Sequence, residues 1–156
     1  MPRRKGISPV IATVIIVAVT IAVAIAVAFW MTGIIGLFTG AVEKVEFVSL
    51  YPVVQDNNFV VTAILRNTGT APVTIDRCFL NGIPNDQWPA GINIQVIAPA
   101  GVNWPPTINP GGDVTIQITI PINTPLGGGT LTHGVSLEVK FHSTGGREYP
   151  RLTVLP

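Results

Sequence analysis

Residues 7–38 read ISPVIATVIIVAVTIAVAIAVAFWMTGIIGLF, thirty-two residues without an Asp, Glu, Lys or Arg. The nearest charges on either side are Lys5 and Glu43. A bilayer core is crossed by roughly 20 apolar residues in a helix, so this run is long enough to span one. The β-branched stretch IAVAIAVA looks strand-like by propensity. In lipid a lone strand leaves its amides unpaired, whereas a helix satisfies them internally, and helix is therefore the expected state. Ser8 is placed to cap the first turn with its hydroxyl, and Pro9 suits the first helical position, where its missing N–H costs nothing. At the far end Gly33, Gly36 and Gly40 each lower helix stability by about 1 kcal/mol relative to Ala, which predicts a bend or an end between Gly33 and Gly40. Arg3, Arg4 and Lys5 stay on the cytoplasmic side by the positive-inside rule and place everything after Glu43 outside.

Two features distinguish this segment from a plain anchor. The basic cluster Arg3-Arg4-Lys5 and the small residue Gly6 abut the apolar run on its cytoplasmic side, whereas a general secretory leader carries its small-residue cleavage site after the apolar region. Small residues also recur every fourth position, on one strip (Ala18, Ala22, Ala26) and on another (Thr20, Ala24, Ala28, Thr32). Such strips let helix backbones approach closely, although Ala and Thr are also tolerated anywhere on a lipid-facing helix.

The stretch Lys5-Gly6-Ile7-Ser8-Pro9-Val10-Ile11-Ala12-Thr13-Val14-Ile15-Ile16-Val17-Ala18 resembles the N-terminal region of archaeal type IV pilins, over about the first quarter of the chain. Their precursors carry a class III signal peptide, a short basic leader ending in Gly or Ala, followed by Ser-Pro-Val-Ile-Ala or a close variant. The resemblance implies that a prepilin-type signal peptidase cuts between Gly6 and Ile7, with Arg4 and Lys5 on the leader side. Bacterial type IV pilins usually place a Glu at the fifth mature position; Ile11 stands there, as in the archaeal pattern. Archaellins share the processing route, but their mature N-termini are usually Gly-rich, which makes them the lesser match.

Beyond Val45 the chain changes character. Seven β-rich runs are expected, at 45–54, 59–66, 72–80, 92–98, 113–122, 135–142 and 147–155. Turn signals separate most of them: Asp56-Asn57-Asn58, Asn67-Thr68-Gly69, Asn81-Gly82, Pro110-Gly111-Gly112, Gly127-Gly128-Gly129 and Gly145-Gly146. Two runs alternate cleanly. Val114, Ile116, Ile118 and Ile120 oppose Thr115, Gln117 and Thr119, and Val135, Leu137, Val139 and Phe141 oppose Ser136, Glu138, Lys140 and His142. Each reads as a half-buried antiparallel strand. About seven strands in roughly 110 residues predict an immunoglobulin-like β-sandwich. The stretch Arg66-Asn67-Thr68-Gly69-Thr70-Ala71-Pro72-Val73-Thr74-Ile75 looks like a turn-and-strand pattern of archaeal surface-filament heads. Residues 99–112, rich in Pro, read as a long stiff loop. Trp88 and Trp104 are candidate head contacts in a filament, or closures of the sandwich ends.

Chemistry leaves few openings. Of nine Lys and Arg, three precede the apolar run; without Met1–Gly6, six basic residues face eight acidic ones, a formal charge of −2. That speaks against nucleic acid as a partner, because phosphate neutralisation needs a basic surface. Cys78, the single cysteine, reads as a buried small hydrophobe. His133 and His142 lie in a loop and on a polar strand face, and neither belongs to a recognisable catalytic set. No His follows shortly after Cys78 and the head holds no Met, so a blue-copper site is not expected. The acidic residues are scattered, with no calcium-loop cluster, and Gly127-Gly128-Gly129 lacks the Lys-Ser/Thr of a phosphate loop. No cofactor and no enzymatic activity is expected.

The chain therefore reads as α+β in three parts: a leader at 1–6, a hydrophobic N-terminal helix at 7–40, and an all-β antiparallel sandwich (Ig-like) head at 45–156. The resemblance implies a structural subunit of an archaeal type IV pilus, an adhesive one by the family's commonest role. Its partners would be membrane lipid before assembly, the signal peptidase, a pilus assembly ATPase with its membrane platform protein, and further copies of itself. The precursor would sit in the cytoplasmic membrane and the mature subunit in an extracellular filament. A minor pilin, and a membrane-tethered binding module that does not polymerise, are the alternatives.

Overall fold

The structure is a computed structural model that describes residues 8–38 and 42–156. These fall into two compact units, parted between Phe38 and Val42. The first unit is helix α1, Pro9–Phe38. Thirty residues at 1.5 Å each give a rod about 45 Å long, against a bilayer hydrocarbon core of about 30 Å. It carries no acidic residue in its first turn and no basic residue in its last. The helix is continuous through Gly33 and Gly36 to Phe38, and Gly40, the last residue of the expected window, lies outside the described residues. The first helical bond runs from the Ala12 N–H to the Ser8 carbonyl (3.1 Å). Among the described residues the Ser8 hydroxyl does not make the expected cap.

The second unit, 42–156, is a sandwich of antiparallel sheets. Its strands are β1 (Val45–Gln55), β2 (Asn58–Asn67), β3 (Val73–Leu80), β4 (Ile83–Pro84), β5 (Asn93–Ala98), β6 (Thr107–Ile108), β7 (Asp113–Pro121), β8 (Thr124–Leu126), β9 (Gly129–Leu131), β10 (Ser136–Ser143) and β11 (Glu148–Val154). One sheet has the order β1-β2-β7-β5; the other runs β11-β10-β3-β4, with β6 pairing β3 on its own; β8 and β9 form a separate ribbon. The first order is that of strands A, B, E and D of an immunoglobulin constant-type domain, and β11-β10-β3 stand where G, F and C do. All seven expected strands are present. The four additional ones, β4, β6, β8 and β9, are two or three residues long. β6 lies inside the stretch expected to be loop, where Val73 pairs with Ile108 and Thr74 with Thr107.

Alternation dictates the core. Phe59, Val61, Ala63 and Leu65 of β2 and Val114, Ile116, Ile118 and Ile120 of β7 point inward from one sheet. Val73, Ile75, Cys78 and Leu80 of β3 and Leu137, Val139 and Phe141 of β10 meet them from the other. Phe47 of β1 reaches across to Phe141, ring centroids 5.7 Å apart. Among the described residues every buried core residue comes from 42–156, so the head has a core of its own. Two-residue hairpins close where the sequence offers Asn and Gly. Asp56-Asn57 and Asn81-Gly82 both take positive φ at their central residues, the conformation that matches the twist of the flanking strands.

Asn67 is the polar exception in this interior. It is fully buried, and its Nδ2 donates to the carbonyls of Ala71 (2.7 Å) and Ile108 (2.9 Å) while its Oδ1 accepts from the Gly69 N–H (2.9 Å). The turn it organises grips the entering chain. Thr68 and Gly69 donate to the Lys44 carbonyl, Thr70 and Ala71 donate to the Val42 carbonyl, and the Val42 N–H donates to Thr70 Oγ1. The approach is so close that a Cβ on Gly69 would collide with the Val42 carbonyl oxygen, which only glycine permits. On a second turn, the buried Ser143 hydroxyl donates to Glu43 Oε2 (3.1 Å). The Val42–Lys44 segment is thus held to the sandwich at two turns.

Candidate functional site

The helix is the feature of this chain least explained by its own fold. Fourteen large apolar side chains between Val10 and Met31 are each at least half exposed, with Phe29 at 74% and Trp30 at 68%. The Pro9–Gly33 stretch, exposed in this structure, is long and apolar enough to cross a membrane. The helix is apolar on every side, the pattern of a membrane span or of a helix enclosed by other helices and not of a surface helix with one buried face. A helix of this kind near the N-terminus points to membrane association.

The hydroxyls of Thr13, Thr20 and Thr32 are satisfied within the helix. Thr13 Oγ1 donates to the Val10 carbonyl (2.8 Å), Thr20 Oγ1 to Ile16 (2.7 Å), and Thr32 Oγ1 to Ala28 (2.8 Å) and Phe29 (3.1 Å). A hydroxyl bonded to its own helix costs little in an apolar medium, whereas an unpaired one costs several kcal/mol. These threonines therefore act as small, branched, nearly apolar residues.

The alternation of small and large residues over Ala18–Ala28 has a geometric consequence. At about 100° per residue, positions two apart lie roughly 200° apart around the axis. Ala18, Ala22 and Ala26 thus line one side of α1, and Thr20, Ala24, Ala28 and Thr32 line nearly the opposite side. Between them stand ridges of Val19, Val23 and Val27 and of Ile21 and Ile25. Both strips are solvent-exposed in the chain. Each is a shallow furrow between β-branched ridges, a shape that in general lets helix backbones approach closely. Arg4, Lys5, Gly6 and Ile7, the residues of the expected cleavage junction, lie outside the described residues; Ser8 and Pro9 stand at the helix start.

Among the described residues of the head the candidate chemical groups lie apart from one another. Cys78 is fully buried, and desolvation pushes its thiol well above the ordinary range. It pairs with Phe141, next to His142. Cys78 and Phe141 face the core while His142 faces out, where its Nδ1 is 2.7 Å from Asp76 Oδ1, so the sheet separates the two potential metal ligands. His133 stands edge-on to the Phe59 ring, centroids 5.2 Å apart, and hydrogen-bonds the Pro156 carbonyl oxygen through Nδ1. Among the described residues no group of three His, Cys, Asp or Glu could hold a metal ion. Trp88 and Trp104 are half-buried against the core. Trp88 Nε1 donates to the Ile83 carbonyl (2.9 Å), and Trp104 packs 6.4 Å from the Phe141 ring.

Sequence reasoning missed the grip on Val42–Lys44. Its signal was Asn67-Thr68-Gly69, read only as a turn; an Asn two residues before a Gly at a strand end marks a side chain that bonds the following backbone. Compared with protein-family models and with curated proteins, the chain matches none.

Proposed function

We propose that this chain is the structural subunit of an extracellular filament of the archaeal type IV pilus kind. The observation that carries the reading is a charge-free helix whose large apolar side chains are exposed from Val10 to Met31, directly following the Arg3-Arg4-Lys5-Gly6 junction. Fourteen exposed large apolar side chains at about 1.5–3 kcal/mol each represent at least on the order of 20 kcal/mol to be gained by enclosing the helix. That exceeds the about 5–15 kcal/mol that holds an ordinary domain folded. The helix must therefore be enclosed, first by lipid and then by other helices.

In this reading the precursor waits in the cytoplasmic membrane with Arg3, Arg4 and Lys5 inside and the head outside. A prepilin-type signal peptidase removes Met1–Gly6. An assembly ATPase acting through a membrane platform protein then moves the helix out of lipid into a bundle of identical helices. The opposed small-residue strips suit a helix that has neighbours on two sides at once, and the self-bonded threonines leave no hydroxyl seeking a partner. The sandwich heads cover the bundle, and adhesion is the role that the resemblance implies. The test is Gly6→Leu in the native cell. Loss of leader removal, loss of filaments and accumulation of full-length precursor in the membrane are expected; normal filaments built from Gly6→Leu chains overturn the reading.

A further inference from the structure

The sandwich has three long edges, and they are unequally protected. Unpaired edge strands invite pairing with other chains, and proteins blunt them with charge, proline or irregularity. β1 carries Glu46 and Pro52, and β11 carries Glu148, Pro150 and Arg151. β5, reading Asn-Ile-Gln-Val-Ile-Ala, carries neither charge nor proline. Only a bulge interrupts it: Val96 pairs with Ile116 and Ala98 with Thr115, leaving Ile97 extra and 45% exposed.

A second observation concerns cover. Ile94 and Val96 point inward beside Ile118 and Ile116, yet the β7 residues are fully buried and the β5 residues only half so. β1 and β11 lie together at one side of the sandwich, where Arg151 sits over the Phe47 ring. At the other side the sheet facing β5 ends in β4, two residues long. The β5 margin is therefore open both in its backbone and in its apolar lining.

We propose that β5 is a self-pairing edge, which joins the head of one copy to that of a second copy, antiparallel about a two-fold axis at Gln95. An antiparallel pair of identical strands is two-fold symmetric by construction, and this sequence suits that axis. Ile94 falls opposite the second copy's Val96 and Val96 opposite its Ile94, so apolar residues meet on the core side. Gln95 meets Gln95 on the outer side, where its Nε2 already donates to Gln117 Oε1 (2.8 Å) and its own carbonyl oxygen is left to accept. No like charges are opposed, an arrangement that would destabilise a cross-strand pair. The bulge at Ile97 keeps the pairing short and hence weak between free heads. Copies held in one layer by their apolar helices experience a high effective concentration, which compensates. The inference needs only that confinement, not filament assembly.

The test uses the full chain reconstituted in phosphatidylcholine vesicles, with Gln95→Cys and mild copper-phenanthroline oxidation. Cys78 is buried and does not compete. Cα atoms of directly opposed antiparallel residues lie about 4.5–5.5 Å apart, within disulfide range. Disulfide dimer should form at least roughly tenfold faster than in Leu152→Cys or Glu46→Cys, which place exposed thiols on the other two edges. Adding Ile97→Lys, an exposed substitution that leaves the core intact, should remove most of that advantage. Equal rates for the three thiols, an unchanged rate with Ile97→Lys, or faster cross-linking between mixed Gln95→Cys and Glu46→Cys copies would each overturn the proposal.

Discussion

Replacing Asn67 by alanine should strip the head of the side chain that ties its own turn to β6. The side chain is fully buried and makes three hydrogen bonds, to Ala71, Ile108 and Gly69. Each is worth about 0.5–1.5 kcal/mol net, and the carbonyls left behind are partly sealed from water. A loss of about 3 kcal/mol follows. For a head of this size the unfolding entropy, at about 2.1 cal/mol/K per residue, converts that into a fall in Tm of about 12 °C. The assay is thermal unfolding of the 42–156 head, whose core is drawn wholly from its own strands. Asn67→Asp sharpens the test: a carboxylate still accepts from Gly69 but faces two carbonyls with no donor, so at neutral pH it should unfold at least as early as Asn67→Ala. The exposed Asn103→Ala is the control, with an expected change within about 2 °C. An Asn67→Ala head melting within about 3 °C of the parent would refute the reasoning, since losses that small belong to surface positions.

Gly69→Ala should cost about 2–4 kcal/mol, because its Cβ would collide with the Val42 carbonyl and release the entering segment; urea unfolding of the head measures it. The hydrogen bonds from Arg66 hold the Asp113 carboxyl below its usual range, with the guanidinium charge adding to them. Stability from a lowered carboxyl is complete above the unfolded value near pH ~4 and is lost as pH falls through the folded one. The gap between parent and Asp113→Asn should therefore be level at neutral pH, small as befits an exposed pair, and close below pH ~4; a gap that widens on acidification contradicts the pairing. Cys78 should resist alkylation at mildly alkaline pH until the head is unfolded, because burial keeps its thiol protonated and covered; labelling of the folded head as fast as in urea would contradict its placement.

Strands of six or more residues were legible because a sheet with one buried face writes its alternation into the sequence, as in Val114 to Ile120 and Leu137 to Phe141. β4, β6, β8 and β9 were not, because two or three residues carry no period and are ordered by their partners. The role of Asn67 was hidden for the same reason: Ile108 is 41 positions away, and only the fold brings its carbonyl to the amide. The helix was legible as apolar and long. The return of each threonine hydroxyl to its own backbone, which makes Thr20 and Thr32 apolar in effect, emerged only from side-chain geometry. The scattering of the acids and the separation of His133 from His142 were legible in the sequence. That Cys78 and His142 lie on opposite sides of one sheet followed from register.

The central claim is that this chain is made to be processed and built into a filament, and the mass of its N-terminal peptide, from material recovered at the surface of the producing cell, tests it most directly. The account predicts a mature chain beginning at Ile7, shorter by Met1–Gly6 and present in filaments. A chain recovered from the membrane with Met1 or Pro2 at its start, and absent from any filament, would contradict it.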